Sequence, residues 1–115
     1  MTAPLPFPLN DGIRELNDAF RTGDIAAGQW MITRGVASFG PDFVALAARA
    51  VRAFDRFTED NDPYGEHDCG AFTLAGESLF WKIDYYDPTL SFGSDDPGDP
   101  ALTRRVLTLM LAGEY

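Results

Sequence analysis

The chain carries one cysteine, one histidine and one lysine among its 115 residues. Cys69 has no second cysteine with which to form an internal disulfide, which fits a reducing, cytoplasmic setting. His67 would need carboxylates such as Glu66 or Asp68 to complete a transition-metal site, because there is no second imidazole and no thiolate cluster. Lys82 lies in an apparent strand, and neither GxGxxG nor GxxxxGK occurs, so a phosphate-cradling loop is excluded. No apolar run approaches the ~20 residues of a membrane span. The opening MTAPLPFPLN lacks the basic start and unbroken apolar stretch of a secretory signal. Residues 1–9, with three prolines, read as an extended arm.

What the sequence does have is core-forming residues and acid. Its length is that of one domain, 1–115, and 45% apolar and 13% aromatic residues suffice for one core. The net charge is −9, and it is unevenly placed. Between Asp55 and Asp99 stand twelve acidic residues against Arg56 and Lys82, a segment of −10; the remainder sums to +1. A field of one sign repels nucleic acid and anionic lipid, so direct nucleic-acid or membrane partners are not expected.

Periodicity and end signals give an order α-β-α-β-β-α. A first helix spans about Asp11 to Arg21, capped by Asn10 or Asp11, with Ile13, Leu16 and Phe20 on one face. A strand covers Gln29 to Val36. A second helix opens at Pro41 and reaches Phe57, burying Phe43, Leu46, Ala47, Ala50, Val51 and Phe54 and exposing Arg49, Arg52 and Arg56. Asn61, Asp62, Pro63 and Gly65 break regular structure in Thr58–Asp68. Cys69–Leu74 and Leu79–Tyr86 form a hairpin around Ala75, Gly76 and Glu77. Asp99 and Pro100 start a last helix with Leu102, Val106, Leu109 and Met110 on its apolar face. The fold class is α+β: a small antiparallel sheet of about three strands packed by three helices.

Candidate chemistry is thin. In EDNDPYGEHD, Asp60, Asp62 and Gly65 sit at calcium-loop positions one, three and six. Tyr64 and Ala71 then fall where ligands are required, and a strand follows in place of a helix. His67 and Cys69 would share a strand face and could pair a base with a thiol, but no third residue is marked to orient the base. Carboxylates are plentiful, yet glycosidase-type acid/base work needs a deep cleft that so small a domain rarely supplies. These residues favour binding over catalysis, with no cofactor. A small metal-dependent hydrolase centred on Glu59, Asp62, His67 and Asp68 is one alternative. A non-mimetic interaction module, antitoxin-like or regulatory, using the arm and the Arg-bearing helix, is another.

In WKIDYYD, Leu79, Trp81, Ile83 and Tyr85 face one way and Phe80, Lys82, Asp84 and Tyr86 the other. Carboxylates along such a strand, joined by others from flanking loops, approximate a phosphate row and would borrow the counterion physics of nucleic acid. The expected partner-binding set is Glu59, Asp60, Asp62, Tyr64, Glu66, Asp68, Asp84, Tyr86, Asp87, Asp95 and Asp96, interleaving acids with the aromatics that dominate binding hot spots.

The stretches FDRFTEDNDPYGEHDCGAF, FWKIDYYDP and DPALTRRVLTLMLAGEY, with IRELNDAFR and TRGV before them, resemble a bacterial domain family of unknown function. The resemblance covers nearly the whole chain. It implies a short acidic protein of the kind frequent in alphaproteobacteria and on plasmids or other mobile elements, and it supplies no catalytic residue. Small acidic proteins of mobile elements include DNA-mimicking anti-restriction and anti-CRISPR inhibitors, so the expected partner is a basic nucleic-acid-binding protein such as a CRISPR effector or restriction enzyme.

Overall fold

The protein is described here by a computed structural model covering residues 12–23 and 25–115. The arm at 1–9 and the expected caps Asn10 and Asp11 lie outside those residues. Seven elements follow in order: α1 (Ile13–Thr22), β1 (Gly28–Ile32), α2 (Arg34–Ala37), α3 (Pro41–Arg52), β2 (Cys69–Leu74), β3 (Glu77–Tyr86) and β4 (Arg104–Leu111).

The alternation in β3 sets the layers. Leu79, Trp81 and Ile83 are buried against the helices, with Tyr85 half-buried beside them; Phe80, Lys82, Asp84 and Tyr86 occupy the other face. β2 returns antiparallel, with Leu74 opposite Glu77 and only Ala75 and Gly76 between them. Both turn residues have positive φ, 51° and 82°, which matches the right-handed twist of the strands. Alanine is strained in that region and asparagine much less so. Ala75→Asn should therefore stabilise the protein by about 1 kcal/mol, read as a higher urea midpoint; an unchanged or lower midpoint would contradict the turn geometry.

The last element is a strand, not the expected helix. Asp99 does cap a turn, accepting the Ala101 N–H at 2.9 Å with Pro100 behind it, but only the single 3₁₀ turn Pro100–Leu102 follows. β4 then runs between β3, antiparallel, and β1, parallel, giving one four-stranded mixed sheet ordered β1-β4-β3-β2. A central strand buried on both faces has consecutive apolar residues and no period-two signal. Leu107 and Leu109 are buried on the helix side and Val106 and Met110 on the other. Val106, Leu109 and Met110, with Leu102 before them, also satisfy helical spacing, which produced the helical expectation; Leu102 is exposed. The α+β class holds, with four strands in place of about three.

β1 stops at Ile32 and does not continue to Val36. The Thr33 hydroxyl accepts the Val36 N–H at 3.3 Å and starts α2, turning Val36 fully into the core. α3 ends at Arg52, short of Phe57. One nitrogen of Arg21 (Nη1) donates to the carbonyls of Val51, Arg52 and Phe54 at 2.8, 3.1 and 3.0 Å, satisfying the helix end. The chain beyond carries Phe54 and Phe57 edge-on to Trp81. Leu46, expected in the buried stripe, is half exposed, while Ala47 and Val51 are fully buried.

Candidate functional site

β1, β2 and β4 all begin at the end of the sheet where β3 finishes, as their pairing directions require. Two connections therefore meet there: Thr58–Asp68, which enters β2, and the Asp- and Gly-rich loop that leaves β3 at Asp87 and enters β4. These two loops hold most of the chain's surplus acid.

The first loop is tied internally and then to α1. Asn61 Oδ1 accepts the Thr58 N–H at 2.9 Å. Asp62, expected at the surface, is buried, its Oδ1 accepting the N–H groups of Glu66 and His67 at 3.0 and 3.2 Å. His67 adopts φ 54° and stacks on Phe57 with ring centroids 3.8 Å apart. Its Nδ1 lies 2.9 Å from Asp18 of α1, and its Nε2 3.8 Å from Asp62. Buried Asn17 donates to the Glu66 carbonyl at 3.0 Å and to the Tyr85 hydroxyl at 2.8 Å. That hydroxyl donates in turn to Glu66 Oε1 at 2.7 Å. Arg105 Nε donates to Asn17 Oδ1 at 2.7 Å, and another of its nitrogens donates to the Pro97 carbonyl at 2.6 Å, pinning the second loop. Burial lowers the Arg105 pKa from its ordinary range, and burial raises that of the Tyr85 phenol.

In the second loop Asp87 accepts the Thr89 hydroxyl at 2.8 Å and the N–H groups of Thr89 and Ser91 at 3.1 Å. Led by the Thr89 hydroxyl, these bonds hold its carboxyl below the usual range. Asp96 accepts the Gly98 N–H at 3.0 Å. Asp95 and Asp96 are exposed, as are Glu59 and Asp60 of the first loop.

Glu66, Asp68 and Asp84 are half-buried, and the charges crowd one another. Burial first, then the charge of Glu66, with smaller pushes from Asp62 and Asp84, raises the Asp68 carboxyl above its ordinary 3.8. A carboxyl raised on folding binds its proton more tightly in the native state, so its contribution to stability is lost as pH rises from 3.8 through the raised value. Asp68→Asn should accordingly be more stable than the wild type at pH 7, with the difference closing as pH falls below about 4. Thermal melts at the two pH values check this, and a destabilised variant at pH 7 would contradict the crowding.

Among the described residues the ion pairs are Arg14–Glu15, Arg21–Asp18, Lys82–Asp84 and the two made by His67. Of the eleven expected binding residues, only Asp62 and Asp84 are thus within reach of a base. A carboxylate row along β3 does not form: its outer face presents only Asp84, matched by Lys82. The acid comes from the loops instead. Tyr64 is 63% exposed, Tyr86 is half-buried, and Phe92, which the sequence reading did not single out, is 74% exposed in the second loop.

The catalytic alternatives find less support. His67 does not share a strand face with Cys69, whose sulfur lies 3.9 Å from the Asn61 carbonyl oxygen. Burial, then Asp68 and Asp62, pushes the Cys69 thiol up to about 11, so it is protonated at neutral pH. Among the described residues no group of three or more His, Cys, Asp or Glu side chains is placed to hold a metal ion. No helix among them is long and apolar enough to cross a membrane. Asn17 and Arg21, which organise the site from α1, stand four and eight residues after Ile13, on the face read from its apolar members alone.

The profile of a family described as "Protein of unknown function (DUF3768)" matches residues 32–114. The chain belongs to the DUF3768 family. The match spans α2, α3, β2, β3 and β4, together with both acidic loops, and starts at the last residue of β1. Searches of curated proteins and of solved structures found no match.

Proposed function

We propose that this DUF3768 protein is an acidic binding protein that occupies the basic nucleic-acid groove of another protein, as a DNA mimic does. The observation that carries this reading is the meeting of two carboxylate-rich loops at one end of the sheet, with most of those carboxylates out of reach of any base among the described residues. Exposed Tyr64 and Phe92 add aromatic anchors. The partner class is a nucleic-acid-binding protein of host defence, a CRISPR effector or a restriction enzyme, and the activity is inhibition by displacement.

The test is inhibition of DNA cleavage by purified effectors and restriction endonucleases. Glu59→Lys, Asp60→Lys and Asp95→Lys change exposed side chains of both loops and should weaken inhibition by about 100-fold or more, given the several kcal/mol at stake when like charges face each other. Asp42→Lys and Glu77→Lys reverse charges at the opposite end of the sheet, where α3 and β3 begin, and should change it by less than about threefold. Asp62 and Asp18 are unsuitable for such tests because both hold the fold together. No inhibition anywhere in the panel, or equal effects per reversed charge at the two ends, would sink the reading. A second reading, a non-mimetic interaction module, draws on Met31 and Phe92, 49% and 74% exposed, and expects binding that is insensitive to salt.

A further inference from the structure

The sheet has two free edges, β1 and β2. At β2 one contact fixes which backbone groups point outward: the Ile83 N–H donates to the Asp68 carbonyl at 2.7 Å. Bonded pairs therefore fall at every second residue of the hairpin, and the N–H and C=O groups of Cys69, Ala71 and Thr73 face away from β3. Among the described residues no bond is made to those outward groups. The side chains of Ala71 and Thr73 are exposed as well. Native edges are usually blunted by charge, proline or a bulge. CGAFTL has none of these, and its register with β3 is unbroken.

The occupant follows from what would stand opposite what. We propose that β2 pairs antiparallel with β2 of a second copy of this chain, Ala71 facing the partner's Ala71 across a two-fold axis. In that register Cys69 faces the partner's Thr73, and the outward groups of all three residues are satisfied. The small Ala71 side chains clear each other at the axis. Gly70 has room for no side chain, because a Cβ there would stand 2.7 Å from Phe54 and Trp81. The partner's Phe72 lies opposite Gly70, the placement in which an aromatic ring covers a strand glycine. Charge agrees with the direction. Arg56 lines the hollow beside Ala71, Phe72 and Thr73 and has no carboxylate partner among the described residues. Antiparallel pairing brings the acidic loop that precedes the partner's β2 toward this Thr73 end, and it sets the two acidic sheet ends at opposite sides of the dimer.

The other edge does not fit itself in this way. The Thr33 N–H donates to the Leu109 carbonyl, so the outward backbone of β1 belongs to Gly28, Trp30 and Ile32. Two-fold pairing there would oppose Trp30 to itself, together with the Arg52 guanidinium held 5.2 Å from its ring centroid.

Sedimentation equilibrium of the full chain reads the self-association. Strand-to-strand contact is a small interface, so a reversible dimer with a Kd on the order of 100 µM is expected. Ala71→Lys opposes two cations at the axis and should raise that Kd by at least about tenfold. Met31→Lys changes an exposed residue of β1 by the same charge and should alter the Kd by less than about threefold. Cross-linking in a Cys69→Ser background checks the register. Ala71→Cys places two Cα atoms about 5.5 Å apart, within disulfide range, and should yield a covalent dimer under mild oxidation. Thr73→Cys sets them about 14 Å apart and should not. A monomer at every concentration, whether β2 is bare or covered by residues 1–9 or another strand, would overturn the proposal. So would a dimer indifferent to Ala71→Lys, or equal cross-linking at the two positions.

Discussion

Replacing Arg21 by alanine should cost about 3–5 kcal/mol, the loss usual when one partner of a buried charged network is deleted. Three carbonyls at the end of α3 would lose their donor at once, and Asp18 would lose its arginine. The guanidinium also lies 5.5 and 5.3 Å from the centroids of Phe57 and Trp81, so its removal opens space in the core. Arg21→Lys should recover less than half of the loss, because an ammonium has no planar fork with which to reach several carbonyls and a carboxylate. Urea denaturation measures both variants. A loss below about 1 kcal/mol in Arg21→Ala, the worth of one ordinary hydrogen bond, would mean that α3 ends without Arg21.

Gly28→Ala should be comparably severe for a different reason. A Cβ at Gly28 would stand 1.8 Å from the Arg105 backbone oxygen, directly across the β1–β4 pairing. Backbone of a central strand cannot give way as a side chain can. β1 must then shift or detach, at about 3 kcal/mol, the upper range of overpacking costs. Hydrogen exchange should show protection lost in 28–32 while β2, β3 and the β3-facing amides of β4 keep theirs. Gly35 makes the contrast, since a Cβ there meets the movable Glu114 carboxylate at 2.6 Å. Unchanged protection of β1 in Gly28→Ala would contradict the register.

The parts of the fold that were legible in the sequence are those with a one-sided pattern. β3 could be read correctly because one face is core and the other mixed, so its period of two is plain. α3 could be located by Pro41 and the Phe43–Val51 stripe. β4 could not, because burial on both faces erases alternation, and Asp99-Pro100 gave a true start signal for a helix only one turn long. The end of α3 was hidden because Arg21, thirty residues earlier, determines it.

Of the site, the sequence revealed the charge but not its arrangement. Adjacency of the two acidic loops follows from the sheet order, which depends on β4. Asp62 looked like surface acid because nothing local distinguishes a carboxylate facing water from one that accepts two backbone N–H groups. The polar knot of Asn17, Tyr85, Glu66 and Arg105 joins residues up to 88 positions apart and has no local signature.

Mimicry of nucleic acid requires the two loops to act as one charged surface. Its most direct test is the salt dependence of affinity for an inhibited partner, measured for the wild type and for the Glu59→Lys, Asp60→Lys, Asp95→Lys protein. Wild-type affinity should fall by more than about tenfold between roughly 50 and 200 mM salt, and the variant's should fall far less. A wild-type affinity indifferent to salt, or the same slope in both proteins, would contradict the account.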